Sequence, residues 1–108
     1  MGKQQHRGSL RVKVDIAANL TVNDTESIPV KILDLSSGGA ALSLVRTCPA
    51  VKSLNLSFAL PGEATVITTD AELVWKNLWG NLGIEFVNAD PTFTQSVSGW
   101  MKARSAAN

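Results

Sequence analysis

The 108-residue chain is short of the side chains on which most catalytic sites are built. It has one cysteine and one histidine. A lone thiol forms no internal disulfide and no cysteine metal cluster, and it suits a reducing compartment. Cys48 lies in TCPA, with no histidine or carboxylate beside it, so nothing there lowers its pKa to make a nucleophile. His6, standing alone, excludes a histidine metal site, and no metal cofactor is expected. With no paired acid and base and no metal cluster, an enzyme is the least favoured class. Aromatic residues are only 6% of the chain, too few for a strand face that stacks single-stranded DNA or RNA. Long apolar runs are also missing. None approaches the roughly 20 residues that cross a bilayer, and the polar start MGKQQHRGSL is no signal peptide, so direct membrane insertion is not expected. The cytoplasmic module of a larger membrane protein would read the same way.

Acidic charge is absent from the first stretch of the chain. Lys3, Arg7, Arg11 and Lys13 all precede the first acid, Asp15, although the net charge is only +1. Such a cationic arm suits a phosphate-bearing partner, and equally a solvated leader.

What is present is a period of two. Apolar residues at Val12, Val14, Ile16, Ala18, Leu20 and Val22 alternate with mostly polar ones, which predicts a half-buried strand. IPVKILDL (28–35) predicts a second strand, with Pro29 near its start or at an edge. AALSL (40–44), SLNLSFAL (53–60), ATVITTDAELVWK (64–76, extended and bent) and LGIEFV (82–87) supply four more. Turn-forming stretches separate them: NDTES, DLSSGG, Pro61-Gly62 and NLWGN, with the looser VRTCPAVK over 45–52. Six short strands predict a six-stranded antiparallel β-barrel or a sandwich, a single domain at this length. The period then changes. Asp90 and Pro91 suit a helix N-cap and first turn, and Phe93, Val97, Trp100 and Met101 form one helical face. A helix over about 90–104 should cover one opening of the barrel, followed by a frayed tail at 105–108. Trp75 and Trp100 are expected in the core. Trp79, in NLWGN, suits an exposed contact or a folded-back lid.

Two short motifs stand out. RGSLR (7–11) carries two arginines just before the first strand, and DLSSGG (34–39) lies between the second and third. A hairpin of the first two strands brings them to one end of the fold. Arginine offers a planar fork of donors for phosphate or for a guanine edge. The carboxylate of Asp34 accepts hydrogen bonds, Ser36 donates and accepts, and Gly39 permits a positive φ or a close approach to the backbone. Alone, DLSSGG suits a plain turn in which Asp34 and Ser36 bond to backbone amides. With the arginines it suits a ligand that is both anionic and guanine-like.

The pair RxxxR and DxSxxG, here Arg7/Arg11 and Asp34/Ser36/Gly39, resembles the signature of the PilZ domain, a bacterial receptor module for cyclic di-GMP. Trp75, the GIEF segment (83–86) and the final amphipathic helix are similar to later parts of the same family. The resemblance implies a split-barrel type of fold over 12–104, a flexible basic arm over 1–11, a cytoplasmic bacterial setting and second-messenger signalling without catalysis. It implies that Arg7 and Arg11 bind guanine and phosphate, that Asp34 and Ser36 hold the guanine edge, and that Gly39 shapes the turn. It also implies a protein partner or fused effector domain that reads the ordering of the arm. His6 occupies the position that bears on whether one nucleotide or a stacked pair is bound, and its titration would make affinity pH-dependent. The alternative of another class is a PilZ-like interaction module that binds no nucleotide.

Overall fold

The computed structural model describes residues 11–44 and 53–106, and residues 104–106 only as backbone. His6, Arg7, Cys48 and the loop 45–52 lie outside the described residues, as do the arm over 1–10 and residues 107–108.

Six strands form a closed antiparallel barrel: β1 (Val12–Val22), β2 (Glu26–Leu35), β3 (Gly39–Leu44), β4 (Leu54–Ala59), β5 (Val66–Lys76) and β6 (Asn81–Val87). Their order around the barrel is β1-β2-β3-β6-β5-β4, and β1 closes it by pairing with β4 from Asn19–Ser57 to Val22–Leu54. The period-two pattern is the physical cause. Ile16, Ala18, Leu20 and Val22 of β1 face inward with Ile28, Val30 and Ile32 of β2, and Leu54, Leu56 and Phe58 of β4 meet them across the interior. Closure pairs β1 with β4 over Asn19–Val22, covering that part of the edges a lone sheet of this size would expose. Pro29, which has no N–H to give a ladder, sits just outside the β2–β3 pairing that starts at Val30–Leu44.

Three irregularities interrupt the ladders, and two of them flank Asp34. The β1–β2 register shifts between Lys13 and Ile16, and the β2–β3 register shifts between Ile32 and Asp34. The second shift is visible in the burial pattern. Ile28, Val30 and Ile32 point inward at alternate positions, and Leu35 then points inward after two outward-lying residues, Leu33 and Asp34. A bulge of this kind turns a strand and re-aims a side chain, which here puts the Asp34 carboxylate on the outer rim while Leu35 stays in the core. The third shift, between Leu73 and Trp75, bends the long β5 where β6 pairs with it.

The helix α1 (Pro91–Ala106) begins as its cap predicts, the Thr92 amide donating to Asp90 Oδ1 at 2.8 Å, and it runs past residue 104. Phe93, Val97 and Met101 are buried and cover one mouth of the barrel. Phe93 stands edge-on to Phe58 and Phe86, with ring centroids 6.0 and 5.1 Å away. Trp100 is half-buried beside this face, and its indole N–H donates to the Pro61 carbonyl at 3.2 Å. Trp75 corrects the expectation of a core position: it is 46% exposed. The bulge before it faces it outward, where its indole lies across Gly83. Trp79 is 81% exposed at the tip of the β5–β6 turn, so it does not fold back as a lid.

Phe93 is the plug's main apolar anchor. Phe93→Ala should cost about 3–5 kcal/mol of stability. A thermal melt within a degree of wild type would show that the helix does not plug the barrel.

Candidate functional site

DLSSGG is a rigid rim. Ser36 is buried, and its hydroxyl accepts from the amides of Gly38 (3.3 Å) and Gly39 (3.1 Å) while donating to the Gly39 carbonyl (3.2 Å). The Ser36 amide also donates to the Gly39 carbonyl at 2.9 Å. One donor and two acceptor sites are all a serine hydroxyl has, so Ser36 is fully engaged in the turn. The turn is fastened to β6 by the Phe86 amide donating to the Gly38 carbonyl at 2.9 Å.

The two glycines separate cleanly. A β-carbon on Gly39 would collide with the backbone carbonyl of Ile84 on β6, whereas one on Gly38 would meet nothing within 4 Å. Gly39 is therefore required by the approach of two strands rather than by a left-handed backbone. Among described glycines, positive φ belongs to Gly62 and Gly80. The space that Gly39 leaves is filled by β6, not reserved for a ligand.

Asp34 and Arg11 meet at this rim. In the β1–β2 ladder Lys13 stands opposite Asp34 and Val12 opposite Leu35, which puts Arg11 beside the turn. Arg11 Nη1 lies 3.5 Å from Asp34 Oδ1, the arginine side chain largely exposed and the aspartate about three-quarters covered. Asp34 Oδ1 is buried and has no hydrogen-bond partner among the described residues. A charged oxygen in that condition is costly, and a donor placed against it would recover the loss.

Of the residues singled out in the sequence, the fold brings together Arg11, Asp34, Ser36 and Gly39. Arg7 and His6 lie outside the described residues. Two charged neighbours escaped the sequence reading. Lys13 was counted with the arm, yet the ladder puts it directly opposite Asp34. Glu85 stands opposite Gly39 and also opposite Glu72 of β5, a like-charged pair on the outer surface. Only the barrel order, β3 beside β6, makes Glu85 a neighbour of the motif. The rim is thus cationic on the β1 side and anionic on the β6–β5 side. Among the described residues, no group of three or more histidine, cysteine or acidic side chains is placed to hold a metal ion. No helix among them is long and apolar enough to cross a membrane.

The chain is thus a small closed barrel with a helix over one mouth and a polar rim at the β2–β3 turn. Residues 4–101 match the PilZ domain family model, and the chain belongs to that family. Solved structures agree in fold. The Bacillus subtilis inhibitor of motility MotI/DgrA is similar with a TM-score of 0.76 and 19% identity over 96% of this chain. The match takes in 53% of that protein, so the present chain spans about half its length. The PilZ domain of CeSA from a cellulose-synthesizing bacterium gives 0.65 and 19% identity, covering 86% of this chain and 99% of that one. The PilZ domain of Escherichia coli YcgR, solved with c-di-GMP, gives 0.60 and 18% identity over 92% and 95% of the two chains. No curated protein sequence matches the chain.

The glycine pair offers a sharp test of the rim. Gly39→Ala should cost at least about 1–3 kcal/mol, because the added methyl forces β3 from β6. Gly38→Ala should stay within about 0.5 kcal/mol. Equal melting temperatures for the two variants in differential scanning calorimetry would refute the close-approach explanation.

Proposed function

We propose that this domain is a receptor for cyclic di-GMP, carries no catalytic activity and passes the binding event to a protein partner or a fused effector domain. The observation that carries the reading is Asp34 Oδ1: buried, without a hydrogen-bond donor among the described residues, and facing a guanidinium 3.5 Å away. A guanine presents its N1 and N2 N–H donors on one edge, which suits such a carboxylate. The ligand's phosphates then fall to Arg11, with Lys13 close by and Arg7 joining from the preceding segment. Ser36 and Gly39 serve by fixing the turn that holds Asp34 in place. In this mechanism the ligand fixes residues 6–11 against the rim, and the fixed segment is what the partner reads. His6 lies within that segment and would tune affinity as it titrates.

Family membership and the solved PilZ neighbours support the reading, YcgR among them with c-di-GMP bound. A second reading rests on a different observation. At the barrel end remote from DLSSGG, Leu78 is 98% exposed next to Trp79, an apolar tip that suits protein contact without nucleotide.

Calorimetric titration with cyclic di-GMP, GTP and cyclic di-AMP separates the two. Heat is expected with cyclic di-GMP alone, weakening as salt is raised because charge pairing drives it. Arg11→Ala should weaken binding about 10–100-fold, the value of a charged hydrogen bond. The melt should change little, since a loose ion pair whose arginine is exposed contributes only about 0–1 kcal/mol. Absence of heat in dilute salt would dismiss the receptor reading in favour of the interaction module.

A further inference from the structure

The receptor reading leaves the β5–β6 turn, at the barrel end remote from DLSSGG, without a role. Leu78 is 98% exposed and Trp79 81% exposed, side by side, and Val74 on β5 just before them is 61% exposed. Single apolar residues on a surface are ordinary, but a leucine and a tryptophan adjacent at the apex of a turn form a patch that water disfavours. Neither belongs to the core, so folding alone does not account for them.

The turn that carries them is firmly built. The Asn77 side-chain carbonyl accepts from the Trp79 amide at 2.9 Å and from the Asn81 amide at 3.1 Å. The Asn77 amide donates to the Asn81 carbonyl at 3.1 Å. The chain reverses at Gly80, whose φ of 87° is left-handed, and the Gly80 carbonyl accepts from the Leu44 amide of β3 at 2.9 Å. An asparagine that closes its own turn takes up amides that would otherwise face solvent. Leu78 and Trp79 are therefore presented from a fixed backbone, and little order is lost when they are buried. The backbone groups of Asn77, Trp79, Gly80 and Asn81 named here are already paired within the protein. Such pairing is what allows a turn to enter an apolar medium without leaving amides unmet.

The charge around the tip selects the medium. Lys76 is exposed at the end of β5, immediately before the turn. The acids at this end, Asp24 and Glu26, belong to the β1–β2 hairpin, which the strand order places across the barrel from the β5–β6 turn. An apical leucine, a tryptophan beside it and an ammonium one step back match the layers of a bilayer surface: acyl chains, interface and phosphate headgroups. A protein partner would have to enclose the tip and add flanking contacts to reach the roughly 800 Å² per side of a stable interface. The residues flanking the tip, Asn77, Gly80 and Asn81, offer little for that purpose. A lipid surface sets no such requirement.

We infer that the Leu78–Trp79 turn is a peripheral lipid-binding tip, whose two side chains enter the interface of a bilayer while Lys76 meets anionic headgroups. Such a contact needs no spanning segment, and for a single domain it is weak and reversible. It turns the Arg11–Asp34 rim away from the lipid and leaves that rim open to a ligand. The tip stands on its own observations and does not depend on the nucleotide reading.

The test is co-sedimentation of the whole chain with vesicles of phosphatidylcholine, alone and mixed with phosphatidylglycerol, with tryptophan emission as a second readout. Wild type should partition onto both, more strongly onto the anionic vesicles. Leu78→Ser and Trp79→Ser should each weaken partitioning about ten-fold or more on both vesicle types. Both should melt close to wild type, since both residues are exposed. Lys76→Gln should weaken it about five-fold, and on the anionic vesicles only. Vesicles should move the emission to shorter wavelength in wild type and in Trp75→Phe, and the shift should vanish in Trp79→Phe. Wild type that stays in the supernatant with both vesicle types overturns the tip, and is the result expected if the turn docks into a protein instead. Partitioning that survives both serine variants also overturns it, and its loss in high salt would assign it to the cations before Asp15. If one serine variant proves poorly folded, the other decides, and wild-type partitioning by that variant overturns the proposal.

Discussion

The absence of a side chain at Gly39 is the constraint on which the rest of the structure depends. The backbone of β3 begins there, against the Ile84 carbonyl of β6, at a distance that no β-carbon tolerates. β3 and β6 are far apart in sequence, and their pairing joins the N-terminal meander β1-β2-β3 to the later strands. The same approach lets the Gly38 carbonyl take the Phe86 amide, which fixes the turn to the barrel wall. Fold and candidate site therefore share one requirement. A turn held from inside by Ser36 and from outside by β6 is a stiff platform, and a stiff platform is what a carboxylate needs to recognise a ligand edge.

From that platform the polar groups fall into place without a dedicated loop. Two bulges bracket Asp34 and lift it to the rim, while the core phase recovers at Leu35. Arg11 arrives because β1 starts opposite the end of β2. The pair is loose at 3.5 Å, with the arginine well exposed, so it holds little stability and is easily exchanged for a better donor. Such an arrangement suits a receptor, in which the unliganded contact has to be cheap to give up. Stability resides instead in the alternating apolar faces and the Phe93 plug.

Much of this was legible in the sequence, and the reasons differ by element. The six strands were readable because a barrel wall buries every second residue, and Leu54, Leu56 and Phe58 state that period directly. The helix was readable from Asp90-Pro91 and the spacing of Phe93, Val97 and Met101. The roles of individual motif residues were less so. Ser36 read both as a turn cap and as a group for a ligand, and Gly39 both as a turn former and as room for a close approach; in the structure Ser36 bonds within the turn and Gly39 makes room for β6. That difference depends on a strand more than 40 positions away, which local chemistry does not encode. Trp75 was expected inside; the bulge after Leu73 reverses its face, and alternation alone does not announce a bulge. Lys13 and Glu85 gained meaning only from register.

The central claim is that the Arg11–Asp34 rim is where cyclic di-GMP binds. Backbone amide NMR on the labelled protein tests it most directly. Added cyclic di-GMP should shift or broaden resonances of residues 11–13 and 34–39, leaving the Leu78–Trp79 tip and the 23–25 turn unmoved. Shifts concentrated at the remote tip, with the rim unchanged at saturation, would contradict it.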